Sequence, residues 1–231
     1  MSLNSNENRA ITIIQPVYRT KDEARQFYNR ISNIYDFLAG TFERKYAIRC
    51  LEYLNVQIGE SLLEIGFGTG EILRKIVQLV GDEGKAYGID ISDGMLELTK
   101  KKLVKTDLID RVKLICGDAV NLPFADNSFD AVFTSFTLEL FDTPEIHKVL
   151  QEVRRVLKKD GRFGIVSLSK SYENSMSLRA YEWFHRHMPT YFDCRPIYVA
   201  DSLKEVGFTI NVIEKASLVG LPLEIVVANK A

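Results

Sequence analysis

The stretch Ser61-Leu62-Leu63-Glu64-Ile65-Gly66-Phe67-Gly68-Thr69-Gly70 constrains the fold more than any other part of the chain. The apolar run Leu62 to Ile65 reads as a buried parallel strand, and three glycines at alternate positions follow it at once. They let the backbone turn tightly and lie against a ligand before a helix begins near Glu71. The same pattern also fits a glycine-rich strand-to-helix loop of any α/β protein, so the rest of the chain must decide what it holds.

The following segments keep a strand and helix rhythm. Ile72 to Val80 predicts an amphipathic helix stopped at Gly81-Asp82-Glu83-Gly84, and Lys85 to Ile91 a second strand. Ser92 and Asp93 are natural caps for a helix from Gly94 to about Val104. Arg111 to Cys116 and Phe129 to Ser135 predict a third and a fourth strand. Thr143-Pro144 opens a helix to Leu157, closed by Lys158-Lys159-Asp160-Gly161, and Arg162 to Ser169 predicts a fifth strand. A helix from about Val199 to Val206 precedes Phe208 to Ala216 and Leu223 to Ala228, which read as a terminal antiparallel hairpin joined by Ser217 to Pro222. The fold class is α/β: a Rossmann-like seven-stranded sheet, mostly parallel, with a terminal antiparallel hairpin and helices on both faces.

With 231 residues and 46% hydrophobic composition, one domain over 1–231 is expected. Residues 1–20 read as a loose arm. A helix from Lys21, with Phe27, Ile31, Ile34, Tyr35 and Leu38 on one face and Gly40 as its stop, and a second from Phe42 to Leu54 complete an N-terminal cover over 1–55. Residues 170–198 carry Tyr172, Tyr181, Trp183, Phe184, His185, His187, Tyr191 and Phe192, and read as an inserted lid or the wall of an apolar substrate pocket.

Thirty basic and thirty-one acidic residues give a net charge of −1, so no charge excess points to nucleic acid or an anionic membrane. Cys50, Cys116 and Cys194 are far apart and form no CxxC pair, as expected of reduced thiols in the cytoplasm. No stretch approaches the about 18 apolar residues of a membrane span, and Met1 to Ala10 has no signal pattern. A soluble cytoplasmic protein is expected, with monomer and homodimer both open.

A nicotinamide dinucleotide site asks for G-x-G-x-x-G, but Glu71 stands in the last place. A carboxylate there would face the pyrophosphate that a helix N-terminus attracts, so a cofactor without phosphates suits the turn better. Glu64, just before the first glycine, can attract a cationic ligand. Asp90 ends the second strand near the offset of about 20 residues at which an acid takes ribose hydroxyls; capping the next helix is its alternative role. Asp118 ends the third strand, where it can accept from an adenine amine while the Ala119 N–H donates to a ring nitrogen; a local turn is the alternative.

Glu64-Ile65-Gly66-Phe67-Gly68-Thr69-Gly70, Gly88-Ile89-Asp90-Ile91-Ser92 with Met95-Leu96, Gly117-Asp118-Ala119 through Leu122-Pro123-Phe124, Phe129-Asp130-Ala131-Val132 and Val156-Leu157-Lys158-Lys159-Asp160-Gly161 resemble the successive motifs of class I S-adenosylmethionine-dependent methyltransferases. The resemblance covers about residues 25–169 and, more loosely, the terminal hairpin. Within that class the chain most resembles the ubiquinone/menaquinone biosynthesis C-methyltransferase group, Tyr35-Asp36 and the run from Pro123 to Asp130 included. The resemblance implies the methionine moiety near Glu64, Gly66, Gly68, Thr69 and Gly70, and the ribose on Asp90 beside Ile91. It implies the adenine against Asp118, Ala119 and Met95, and a further cofactor contact at Ser135. One departure stands out: where that group resembles Ser-Phe-Gly-Leu-Arg-Asn, this chain has Ser135-Phe136-Thr137-Leu138-Glu139-Leu140, which puts the quinone acceptor in question.

The implied activity is transfer of a methyl group from S-adenosyl-L-methionine to a small-molecule acceptor, an apolar or quinone-like ring, leaving S-adenosyl-L-homocysteine. The other reading is an S-adenosylmethionine-binding regulatory or scaffold protein. In-line displacement at a sulfonium needs chiefly a near-attack geometry out of water. If the nucleophile is a carbon or phenol a base helps, and Glu139, His185, His187 and Tyr28 are candidates, each with a structural role as its alternative. No metal is expected, because His185, His187, Asp193 and Cys194 follow no recognised ligand spacing.

Overall fold

Two helices, α1 (Lys21–Tyr35) and α2 (Thr41–Leu54), precede the sheet in the computed structural model, which describes residues 14–35, 41–171, 176–189 and 192–230. The expected packing of Leu38, the stop at Gly40, and the motif residue Asp36 lie outside the described residues.

Strand β1 (Ser61–Ile65) runs into the glycine turn and then into α3 (Glu71–Val80), whose Leu73, Ile76, Val77 and Val80 recur at helical spacing and are buried. Strand β2 (Lys85–Asp90) leads to α4 (Asp93–Lys105), capped by Ser92, whose Oγ accepts from the Met95 N–H at 3.1 Å. Strands β3 (Val112–Cys116) and β4 (Phe129–Ser135) follow. Asp142 caps α5 (Thr143–Val156), which has Pro144 in its first turn and buries Ile146, Val149, Leu150, Val153 and Val156. Strand β5 is Leu157–Leu168, and α6 (Met176–His187), α7 (Val199–Glu205), β6 (Phe208–Leu218) and β7 (Leu221–Lys230) complete the order.

The seven strands lie in the order β3-β2-β1-β4-β5-β7-β6, parallel from β3 to β5, with β7 antiparallel to both its neighbours. The order reverses between β1 and β4, which places a crevice at their carboxyl ends. Alternation along the strands feeds two cores. Leu63, Ile65 and Val132 pack with α5 on one face, and Leu62, Ala131 and Phe133 pack with α2 and α3 on the other.

The largest departures from the expected boundaries are at β5 and at the terminal hairpin. Strand β5 begins at Leu157 rather than Arg162, because the fully buried Leu157 already pairs with Phe129 before an irregularity shifts the register to Ala131 and Arg162. The terminal hairpin turns at Val219-Gly220 alone, with Ser217 paired to Pro222 and Leu218 to Leu221. Both turn residues have positive φ, 50° and 83°, as a tight turn of the primed type requires. Among the described residues no helix is long and apolar enough to cross a membrane.

Candidate active site

The carboxyl ends of β1, β2 and β4 and the loop after β3 open on a cavity of about 420 Å³, covered by α1 and α2. The glycine turn forms its floor. The Gly66 N–H donates to Ile89 O at 2.8 Å and ties the turn to β2. Gly66 has φ +73°, and a Cβ there would overlap the Thr137 side chain, so glycine is required on two counts. Gly70, at φ +78° against Thr99, starts α3 and does not line the cavity, unlike Gly66, Gly68 and Thr69.

Asp90 is fastened to the same turn. Its Oδ2 accepts from the Gly68 N–H and its Oδ1 from the Ser92 N–H, each at 2.9 Å. Burial pushes its carboxyl up to about 6, while the N–H donors of Ser92, Gly68 and Ile91 act the other way. Three N–H donors still leave the carboxylate an acceptor position for a ligand hydroxyl, so the backbone role does not preclude a ligand role. Glu64 is 3% exposed and lines the cavity with Oε2 unpartnered. Burial first, and the Asp90 charge second, hold its carboxyl well above the ordinary range. A buried acid lacking a donor at a glycine cradle fits the cationic amino group of an amino-acid moiety. The donor set therefore fits S-adenosylmethionine.

Asp118 makes the local turn and also lines the cavity. Oδ1 accepts from the Val120 N–H at 3.1 Å in a local turn, while Oδ2 lies in the cavity wall, 2.6 Å from Lys21 Nζ. Ile91, Ser135 and the buried Met95 and Ala119 also line the cavity. Glu71 pairs with Lys102 at 3.2 Å and with Arg74 at 3.5 Å.

The candidate bases separate. Tyr28 lines the cavity, but its hydroxyl donates to Asp193 Oδ2 at 2.6 Å. Glu139 is fully buried outside the lining; Oε1 accepts from the Leu168 N–H at 3.3 Å, Oε2 has no partner, and burial pushes it up to about 7. His185 is buried with Nδ1 2.6 Å from Phe192 O and Nε2 3.3 Å from Pro16 O, so it fastens the residues before α1 to the loop after α6. His187 is exposed and stacks on Trp183. Among the described residues no group of three or more His, Cys, Asp or Glu side chains is arranged to hold a metal ion.

Among the described residues of segment 170–198 none lines this cavity. Lys21, Ala24 and Tyr28 of α1 and Glu43, Arg44 and Ala47 of α2 line it on the side of the cover. Asp193 instead faces an adjoining cavity of about 460 Å³ that shares Lys21, Ala24, Tyr28 and Leu140 with the first. Glu43 escaped the sequence reading, since an acid in the first turn of a helix ordinarily faces water. It is partly buried, and burial, followed by the charges of Glu139 and Asp193, pushes its carboxyl up to about 8.

Residues 15–216 match the ubiE/COQ5 methyltransferase family. The chain belongs to that family. Over 145 residues it is 37% identical to the demethylmenaquinone methyltransferase of Geobacillus stearothermophilus, a match covering 63% of this chain and 59% of that one. Over 149 residues it is 34% identical to the ubiquinone/menaquinone biosynthesis C-methyltransferase UbiE of Teredinibacter turnerae, covering 64% and 59%. The aligned stretch thus spans about three fifths of the length of these relatives. Among solved structures, that of the [4+2]-cyclase SpnF superposes with a TM-score of 0.74 at 19% identity, covering 93% of this chain and 97% of that one. At that identity the likeness concerns the fold alone, and it extends to a protein named for a different reaction.

Proposed function

We propose that this member of the ubiE/COQ5 methyltransferase family transfers a methyl group from S-adenosylmethionine to a small, largely apolar, quinone-like ring. The observation that carries the reading is the make-up of one cavity. Its floor has the glycine turn, the unpartnered Glu64 and Asp90, and its roof has apolar groups such as Ala47, Phe136, Leu140 and Phe141. The family membership and the names of the curated relatives support the same reading. When bound, S-adenosylmethionine supplies an electrophilic methyl group on a sulfonium. Glu64 would take its amino group, Asp90 the ribose hydroxyls, and Met95 with Ala119 the apolar faces of the base. Phe136 and Phe141 would hold a flat ring and exclude water, the main service that such a displacement needs.

Calorimetry with S-adenosylmethionine tests the donor half: the wild type should bind, and Asp90→Ala should lose at least tenfold in affinity. Mass spectrometry of an alkylated 1,4-naphthohydroquinone incubated with the protein and a labelled methyl donor tests the acceptor half. A mass gain of one labelled methyl, with S-adenosylhomocysteine released only in the presence of acceptor, is expected. Donor binding without any transfer would favour a regulatory or scaffold role and defeat the proposal.

A further inference from the structure

We propose that Glu43 is the base that takes the proton of an acceptor hydroxyl in this cavity. The inference rests on the methyl-transfer reading and assigns a role that none of Glu139, His185, His187 or Tyr28 has the geometry to fill. His185 and His187 lie away from the cavity, Glu139 is sealed behind it, and the Tyr28 hydroxyl is already donated to Asp193.

The other carboxyl groups of the lining are engaged elsewhere. Asp90 accepts from Gly68 and Ser92, Glu71 pairs with Lys102, Asp118 pairs with Lys21, and Glu64 stands beside Asp90 at the glycine turn. Glu43 comes from α2, on the cover, among Ala47, Phe136 and Leu140, and it accepts no hydrogen bond from any described residue. A carboxylate lining a largely apolar space, with no donor among the described residues, can receive one from a ligand.

The charges around Glu43 raise its affinity for a proton. Glu139 stands in the turn after β4, and Asp193 lies in the loop after α6, itself paired with Arg19 and Tyr28. Tyr181 of α6 and Cys194 are held neutral by burial, and Arg44 follows on α2 itself. A base whose proton affinity lies near neutrality matches a phenolic hydroxyl better than an ordinary carboxylate does. In the step, the acceptor O–H bond breaks, its electron pair stays on the acceptor oxygen, and the proton bonds to a Glu43 carboxylate oxygen. The ring then carries the electron density that attack on a methyl group requires. Glu139 acts here as a positioning residue, through its charge.

The test is the pH dependence of kcat with an alkylated 1,4-naphthohydroquinone at saturating S-adenosylmethionine, for wild type, Glu43→Gln and Glu139→Gln. Wild-type kcat should rise through a limb near pH 8. Glu43→Gln should lose about 10²- to 10³-fold and that limb with it. It should bind S-adenosylmethionine as the wild type does by calorimetry, and recover in part on acceptors whose hydroxyl is made more acidic by electron-withdrawing substituents. Glu139→Gln should keep the limb and move it to lower pH, which also tests the idea should Glu43→Gln fold poorly. A Glu43→Gln enzyme that retains the wild-type limb, or a loss equal for all acceptors, overturns the assignment. Wild-type protein that binds S-adenosylmethionine but methylates no hydroquinone overturns the methyl-transfer reading and this proposal together.

Discussion

Lys21 Nζ donates to Asp118 Oδ2 across 2.6 Å and reaches Glu145 Oε1 at 2.6 Å, so the first residue of α1 is fastened to the sheet edge beside the candidate adenine site. Burial works against the lysine charge, but the hydrogen bonds and charges of Asp118 and Glu145 outweigh it and raise its pKa. Because Lys21 is 37% exposed, solvent screens the network, and its loss should cost only about 0.5–1 kcal/mol of stability. The larger effect is expected on the ligand. Lys21→Met should weaken S-adenosylmethionine about three- to tenfold by calorimetry, since α1 loses its tether over the cavity. Undiminished affinity would show that the tether is irrelevant to the cofactor.

Several buried acids bind protons more tightly in the folded chain than in the unfolded one. Burial lifts Asp90 from 3.8 to about 6, Glu139 from 4.5 to about 7, and, with its acidic neighbours, Glu43 from 4.5 to about 8. A folded pKa raised above the unfolded value gives stability that is complete below the unfolded value and lost as pH climbs through the folded one. Arg155 and the Leu122 N–H, against some burial, hold Glu152 below its usual value, which removes stability in strong acid. Urea unfolding should therefore find a maximum near pH 5 and a steady fall toward pH 9. Glu139→Gln keeps an acceptor for the Leu168 N–H and should flatten the alkaline side, gaining on the order of a few kcal/mol at pH 9. A stability that rises from pH 5 to pH 9 would contradict the buried acids.

What the chain reveals before folding is what short range controls. Leu62 to Ile65, the alternate glycines and the buried stripe of α3 follow from local patterning, and the place of Asp90 at the end of β2 follows from its offset, so the sheet and the floor of the candidate cavity are legible. Contacts that join distant residues are not: nothing near Lys21 announces Asp118, 97 positions away, or marks Glu43 as a cavity residue. The contacts of the aromatics of 170–198 are set the same way. Tyr181 packs on Phe192 and Phe184 stacks on Phe192, so they hold the segment to itself, while α1 and α2 take the wall. The hairpin connection is legible as Ser217 to Pro222, but the pairing that shortens it depends on the strands it joins.

Gly66 and Thr137 press against each other where this chain departs from the Ser-Phe-Gly-Leu-Arg-Asn pattern it otherwise resembles. Gly66→Ala forces a side chain into positive φ, at about 1–3 kcal/mol, and into Thr137 as well. Replacing Thr137 with Gly removes the second penalty only. In a double-mutant cycle the two changes should therefore couple by about 1 kcal/mol or more, the double variant being less damaged than the sum. Additive losses in denaturant titrations would mean that the overlap is relieved elsewhere at no cost.

Arg195 is the largest fully buried side chain among the described residues and joins the residues before α1 to the start of α5. Its Nη1 donates to Gln15 O at 3.0 Å and to Thr143 Oγ1 at 3.1 Å, and its Nη2 donates to Phe141 O, with the Asp142 carboxyl 4.0 Å away. Arg195→Met keeps much of the stem but leaves these acceptors without donors, at about 1–3 kcal/mol for each group that water cannot reach. Because Asp142 is half-exposed, the charge itself contributes less than the carbonyls do. The residues before α1 lose a tether, and the His185 contact to Pro16 O and the Arg19–Asp193 pair remain to hold them. Limited proteolysis of Arg195→Met should cut first around residues 14–20, under conditions in which the wild type stays whole. Since Lys21 continues that segment into the cavity roof, S-adenosylmethionine should slow the cutting. Cleavage starting elsewhere would show that the strap is held by the sheet rather than by Arg195.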